Sequence, residues 1–479
     1  MKIRIKMSSS LLVSWVLLGV ISASVLQVCH SSPEGESVLK DDKPKLLYIL
    51  LDGFRWDYLE MYREDALPAF NQFVKEGVRA RWATSVYPSL SYPAQITLST
   101  GLYPESHNII GNYFYDHAAK DVFALYDSKT TVRQKWWTSE PIWITAEKAG
   151  LKTAQIKWMR CEVPFDGKTT HYCETYKDEE ARLDNFLKSS MTALKKLEEG
   201  YDFVQVYTVE PDVAAHNFGP KSPEVLQKLR DLDSVLSIIT DELEEKGLSD
   251  KVNIIIASDH GMQFVSAEAG FKAIAIDSYL DTALVEKICD RYAVMYLYVA
   301  DENLQRVYNQ VSRIPGLTAY KKRDIPDDFH FKNGKYVPDI LLFPNSGYLI
   351  MPSASDKQVP PKIPDYGSGI HGLNPTLPSM RGIFFAKGPA FKEGLVTDPI
   401  NMVDVYQVLT TVLDIVPLPH NGTWKNVESI FAESAAKNEG LVEEREDEGN
   451  ESGASSPKMT LILSLFLVFL GRRLQSTLL

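Results

Sequence analysis

The chain has 479 residues, 44% of them hydrophobic, which is enough for one large core or two domains. Its formal net charge of −12 argues against a non-specific nucleic-acid binder held by phosphate contacts. Part of that charge is local, in the acidic run LVEEREDEGNE at residues 441–451.

Residues 1–30 read as a signal peptide. MKIRIKMSSS is basic, and LLVSWVLLGVISASVL is apolar with small residues near its end. Cleavage is expected between Ala23 and Ser32, and the apolar run is too short for an anchor. The mature chain is therefore expected in an oxidising, extracellular setting.

Residues 44–432 read as one catalytic domain. KLLYILL is a continuous apolar run that ends in Asp52-Gly53, the pattern of a buried strand. LPAFNQFVKEG is a helix stopped by Gly77. YPSLSYPAQITLSTG is rich in Ser, Thr and Pro, and a short helix should begin near Ser91. No G-x-S-x-G elbow surrounds its serines, which disfavours a Ser-His-Asp triad. EPIWITAEKAG is a helix and KTAQIKW a strand. Cys161 and Cys173 flank a short segment, so a disulfide is expected in this compartment. Cys29 leaves with the signal or sits at the mature end, and Cys289 reads as a buried thiol.

A long amphipathic helix follows in DEEARLDNFLKSSMTALKKLEEG. DFVQVYTV is a strand running into EPDVAAH. The helix SPEVLQKLRDLDSVLSIITDELEEKG leads to the strand VNIIIAS, which runs into DHG. Residues 291–365 break the alternation and read as a late insertion with a helix at ENLQRVYNQVSRI. RGIFFAKG and NMVDVYQVLTTVLDI complete the core. The fold class is α/β, a mostly parallel sheet with helices on both faces.

Residues 433–458 read as an acidic and polar stalk, and 459–479 as a C-terminal anchor signal. MTLILSLFLVFL is an apolar run of twelve residues. At about 1.5 Å per residue it falls short of a hydrocarbon core of about 30 Å. A removable glycolipid-anchor signal fits the small residues before it. The competitor is a short membrane span, since GRRLQSTLL follows. Asn421 and Asn450 open glycosylation sequons.

Polar residues recur where strands end: Asp52, then Asp212 and His216, then Asp259 and His260, and His371 in GSGIHGLNP. Each alone is an ordinary turn or cap residue. Carboxyl ends of parallel strands form the crevice of such sheets, so these residues can converge. Their mix of oxygen and imidazole donors suits Zn²⁺, and a two-metal hydrolase follows. A cation also activates a serine hydroxyl. Ser91, at a helix start where anions are favoured, is the candidate nucleophile, and Ser89 is its competitor.

LLDGFRWDYL, TGLYPESHNIIGN, SEPIW, EPDVAAHNFGP, ASDHGM, HGLNP and MRGIFFAKGPAFK together resemble the ectonucleotide pyrophosphatase/phosphodiesterases of the alkaline-phosphatase superfamily. The resemblance implies an alkaline-phosphatase-like fold and two Zn²⁺ per chain. One would take Asp52, Ser91, Asp259 and His260; the other Asp212, His216 and His371. It further implies Ser91 as nucleophile, Asn112 against a phosphoryl oxygen, and a phosphoseryl intermediate. Within the family, YPSLSYP, WWTSEP and CEV…YC most resemble the choline-specific glycerophosphodiester phosphodiesterase branch. Ala94-Gln95 and Arg160 depart from the pattern.

The choline likeness predicts an aromatic cage, each face contributing about 0.5–2 kcal/mol. Its candidates are Trp158, Tyr172, Tyr176 and Tyr207, with Glu162, Glu174 or Glu210 as counter-charge. The expected function is release of phosphocholine from glycerophosphocholine or lysophosphatidylcholine. The partners are then small choline phosphodiesters and, through the C-terminal anchor, a membrane, with no nucleic-acid polymer. The location is the extracellular face of the cell membrane, or secreted. The alternatives are a nucleotide pyrophosphatase/phosphodiesterase on the same metals and a non-catalytic cell-surface binding protein.

Overall fold

The computed structural model describes residues 45–62, 64–177, 183–353 and 368–433. The signal peptide with Cys29, the stalk from residue 434, Asn450 and the anchor signal at 459–479 lie outside them. Among the described residues no helix is long and apolar enough to cross a membrane.

Strand β1, Lys45–Leu51, is buried along its whole length. It is flanked on both sides by parallel strands, β5 (Phe203–Thr208) and β6 (Val252–Ala257). Strand β3 (Thr153–Trp158) pairs in parallel with β5, and β4 (Tyr172–Thr175) in parallel with β3. On the other side β7 (Phe384–Lys387) runs antiparallel to β6 and to β2 (Val78–Ala80), and β8 (Leu395–Thr397) closes the edge. The eight strands lie in the order β8-β2-β7-β6-β1-β5-β3-β4. The expected mostly parallel sheet is present, with one antiparallel strand inside it.

Alternate residues of β1 feed two cores. Leu46, Tyr48 and Leu50 pack with helices α2 (Ser91–Thr100), α3 (Ile142–Lys148) and α7 (Met402–Val412). Leu47, Ile49 and Leu51 pack with α1 (Pro68–Glu76), α4 (Leu183–Glu198) and α6 (Pro223–Glu245). Each fully buried aliphatic side chain contributes about 1.5–3 kcal/mol, so strands covered on both faces carry near-continuous apolar runs. Helix α6 starts sharply because the Ser222 side chain accepts the Val225 N–H and Pro223 needs no partner.

The insertion begins earlier than residue 291. Lys272–Ala275 already pairs with Tyr348–Met351. Between them Lys287–Cys289, Met295–Tyr298, Ile340–Pro344 and Leu317–Lys321 form an antiparallel sheet in that order. It has its own core, in which Val307 and Val311 of the helix Asp301–Val311 cover Met295, Leu297, Ile340 and Leu342. Its leading strands are only three or four residues long, too short to show a period.

Cys161 and Cys173 are disulfide-bonded across a separation of 12 residues. Closing a loop of that size stabilises by about 3 kcal/mol in the chain-entropy picture. Cys289 is a buried free thiol, its pKa pushed up by burial. Asn421 is exposed, with its side-chain oxygen accepting the Tyr103 N–H.

Candidate functional site

Every strand-end residue singled out in the sequence arrives at one edge of the large sheet. Asp52 follows β1, and Asp259-His260 follow Ser258 at the end of β6. Beyond β5 the chain turns into a short helix, α5 (Asp212–Phe218), unread in the sequence. Its four-residue spacing sets Asp212 and His216 on one face, with His216 Nε2 3.4 Å from Asp212 Oδ2. His371 follows the strand Ser368–Ile370, which pairs with Gln263–Val265 beyond β6. Gly53 makes this convergence possible: its φ is +65°, and a Cβ there would lie 2.8 Å from Asp212 Cβ.

Two clusters result, each with donor atoms within 4.8 Å of one another: Asp52, Asp259 and His260; and Asp212, His216 and His371. All three imidazoles are held alike. Nδ1 of His216 donates to Gly369 O at 2.7 Å, that of His260 to Gly261 O at 2.9 Å, and that of His371 to Ser89 O at 3.0 Å. A carbonyl can only accept, so each Nδ1 carries the proton and each Nε2 keeps its lone pair. His260 Nε2 lies 3.4 Å from Asp52 Oδ1, and His371 Nε2 3.7 Å from Asp212 Oδ1. Those two carboxylate oxygens are buried without a hydrogen-bond partner. Open imidazole lone pairs facing orphaned carboxylate oxygens are the donor set of a divalent cation, and the residues present fit one in each cluster.

The electrostatics agree. Burial pushes the Asp52 carboxyl well above the usual range, and the charges of Asp259 and Asp212 raise it further. Burial also raises Asp212, while His371 is held well below the ordinary imidazole value by burial and then by His260 and His216. Buried acids that repel one another call for positive charge.

Ser91 opens α2, and its Oγ lies 3.3 Å from His260 Nε2. Ser89 is buried with its hydroxyl on Val86 O at 3.3 Å, and only its carbonyl serves the site. The helix start offers fewer open N–H groups than its position suggests. Tyr92 N–H donates to Asn112 Oδ1 at 3.1 Å, and Pro93 has none. That bond identifies the Asn112 oxygen and leaves its amide nitrogen for an anion in the cleft.

Asp52, Ser91, Asn112, Asp212, His216 and His371 line a cleft of about 280 Å³, walled also by Gln95, Leu125, Tyr126, Met159, Tyr176 and Tyr207. A larger cavity of about 940 Å³ shares Asn112, His216 and His371 with it and is bordered by Asp290, Arg291 and Tyr292 of the insertion. The cage expected from the sequence does not assemble from its four aromatic candidates and three candidate acids. Trp158 is buried in the core against Tyr48 and Trp143, with ring centroids 5.5 and 6.5 Å away. Tyr172 lies under the Lys196 ammonium at 4.2 Å, and Glu162 pairs with Arg160 at 3.2 Å. Tyr176 and Tyr207 do reach the wall, their centroids 5.5 Å apart. The Tyr207 hydroxyl donates to Asp52 Oδ2. Of the acids considered as counter-charges, Glu174 is tied to Lys157 at 2.7 Å and Glu210 is buried, its Oε2 accepting the Ala214 N–H at 3.2 Å. Cys161, Glu162 and Cys173 also lie close together, but both sulfurs are used in the disulfide.

The chain matches the family model of type I phosphodiesterase/nucleotide pyrophosphatase over residues 46–374. It belongs to the ectonucleotide pyrophosphatase/phosphodiesterase family. Human ectonucleotide pyrophosphatase/phosphodiesterase family member 5 is 32% identical over 405 residues, covering 82% of this chain and 79% of the relative. The mouse bis(5'-adenosyl)-triphosphatase of the same family is 31% identical over 399 residues, covering 81% and 82%. A solved structure of murine family member 5, an inactive variant in complex with AMP, superposes with a TM-score of 0.74 at 30% identity, covering 81% of this chain and 100% of that one. The fold is alkaline-phosphatase-like, and this family member is a phosphoric diester hydrolase.

Asp290 sits beside Asn112. Burial pushes its carboxyl up to about 7, against the Arg291, Tyr113 and Asn112 backbone and the Arg291 charge, which lower it. A folded-state pKa above the unfolded value of about 4 gives stability fully present below pH ~4 and lost as pH rises toward 7. Relative to wild type, Asp290→Asn should therefore gain up to about 1.4 kcal/mol per pH unit across that window and level off above it. Urea unfolding of both proteins from pH 4 to 8 checks this, and a flat difference would mean that Asp290 titrates normally.

Proposed function

We propose that this chain hydrolyses nucleotide phosphodiester or phosphoanhydride bonds at the cell surface, with Ser91 as nucleophile and two divalent cations, Zn²⁺ by donor chemistry, as cofactors. The observation that carries the proposal is the Ser91 hydroxyl at a helix start, 3.3 Å from His260, in a cleft lined by Asp52 of one donor cluster and by Asp212, His216 and His371 of the other.

Asp52, Asp259, His260 and Ser91 would hold one ion, and Asp212, His216 and His371 the other. When bound, such ions acidify a coordinated hydroxyl and neutralise phosphoryl charge. Ser91 Oγ forms the new bond to phosphorus as the bond to the leaving oxygen breaks. Asn112 donates its amide hydrogens to a phosphoryl oxygen as charge builds there. Water then attacks the phosphorus of the resulting serine-linked nucleotide, breaks the Ser91 Oγ–P bond, releases the nucleoside monophosphate and restores the hydroxyl.

Nucleotides are favoured over choline esters because the cleft wall offers open apolar and aromatic surface, with Tyr126 83% exposed, rather than a closed cage. The related bis(5'-adenosyl)-triphosphatase and the AMP complex of a structural relative point the same way. The Tyr176–Tyr207 pair is the one observation on the choline side.

A substrate panel with zinc-supplied protein tests the assignment. A dinucleoside polyphosphate or a nucleoside aryl phosphodiester should exceed glycerophosphocholine in kcat/KM by at least about tenfold, a difference of about 1.4 kcal/mol. The reverse order would return the choline reading and leave the chemistry in place. Absence of turnover on every member would favour the non-catalytic binding protein.

A further inference from the structure

We propose that Gln95 is a positioning residue that fixes the Asp52 and Asp259 carboxylates for a cation in the first cluster, and so governs retention of that ion separately from the other. The inference rests on the two-ion reading above.

Gln95 stands four residues after Ser91 on α2 and is 3% exposed. Its amide nitrogen donates to Asp259 Oδ2 at 2.7 Å and lies 3.4 Å from Asp52 Oδ2. The Tyr207 hydroxyl donates to the same Asp52 oxygen. With Oδ2 held on that side, Oδ1 of Asp52 is the oxygen left open, buried and 3.4 Å from His260 Nε2. Asp259 is held from both ends, its Oδ1 accepting the N–H groups of Gly53 at 3.1 Å and His260 at 3.0 Å. A carboxylate can swing about its terminal torsion, which is broad, so its donors decide which oxygen faces the site.

An amide suits this place better than an ammonium or a second acid. It donates without charge, so it neither competes with a cation nor repels the carboxylates. Both carboxylate partners of the Gln95 amide belong to the first cluster, whereas the second cluster's imidazoles are tied by the carbonyls of Gly369 and Ser89 on other elements. Loss of the Gln95 amide should therefore fall on one cluster.

The experiment counts divalent ions per full-length chain by elemental analysis across a series of chelator concentrations. Wild type should hold two. Gln95→Met, which keeps the volume and removes the donor, should release one ion at about 10–100-fold lower chelator and keep the other. The retained ion reports that the variant is folded. Gln95→Asn, which draws the amide back by one methylene, should shift the same ion in the same direction. Wild-type release curves for either variant, or equal loss of both ions, would overturn the role given to Gln95. A wild-type protein that holds no divalent ion would instead overturn the two-ion reading on which it rests.

Discussion

Ser91→Ala should lower kcat by on the order of 10⁴-fold or more and leave the fold intact. The hydroxyl lies 3.3 Å from His260 Nε2 and lines the cleft together with Asp52, Asp212, His216 and His371. The substitution is mild for the helix. Leu90 is the N-cap, Ser91 is the first helical residue, and its side chain makes no capping bond. Ala is the best helix former at such a place. Ser89→Ala is the matched control. It removes one hydrogen bond to Val86 O, worth about 1 kcal/mol, and should keep turnover. Mass spectrometry of wild-type protein rapidly quenched with a nucleotide substrate should find a nucleoside monophosphate esterified to the Ser91 peptide and none in the variant. Activity lost with Ser89 and kept without Ser91 would move the nucleophile by two residues.

Removing divalent ions should abolish turnover and also lower the melting temperature, with both restored by Zn²⁺. The second effect follows from the same geometry. Asp52, Asp212 and Asp259 are buried, and Asp52 is raised by burial and by the other two. An ion that binds only the folded chain stabilises it by mass action, about 4 kcal/mol per site at a thousandfold excess over Kd. Mg²⁺ and Ca²⁺, which prefer oxygen ligands, should restore less, because three of the donors are imidazoles. A protein shown to be metal-free that turns over at the full rate would sink the cofactor assignment.

The convergence of the candidate ion-binding residues was legible for a simple reason. Asp52 and Asp259 close apolar runs, and a parallel sheet gathers such ends at one edge. Asp212 and His216 carried a second signal in their helical spacing. The cage was not legible. Trp158 and Tyr207 lie on parallel strands buried on both faces, where no alternation says which face a side chain takes. Trp158 turned to Tyr48 and the core; Tyr207 turned to Asp52. Tyr172 lies on a short strand that itself carries Cys173 of the disulfide, and no period could have placed it. Gln95 shares a helix face with Ser91, but its partners are 43 and 164 residues away in the chain. Only the folded sheet brings them together.

The insertion with its own small core supplies none of the seven candidate ion-binding residues, yet Ile288, Arg291, Tyr292 and Met351 border the large cavity that meets the cleft at His216 and His371. The candidate ion-binding residues and one border of the neighbouring cavity thus lie on separable stretches of polypeptide. After gene duplication, a copy could rewrite this border residue by residue while its hydrolytic machinery stayed under unbroken selection. A scaffold divided in this way lets one reaction diversify across many phosphate esters without passing through an inactive ancestor.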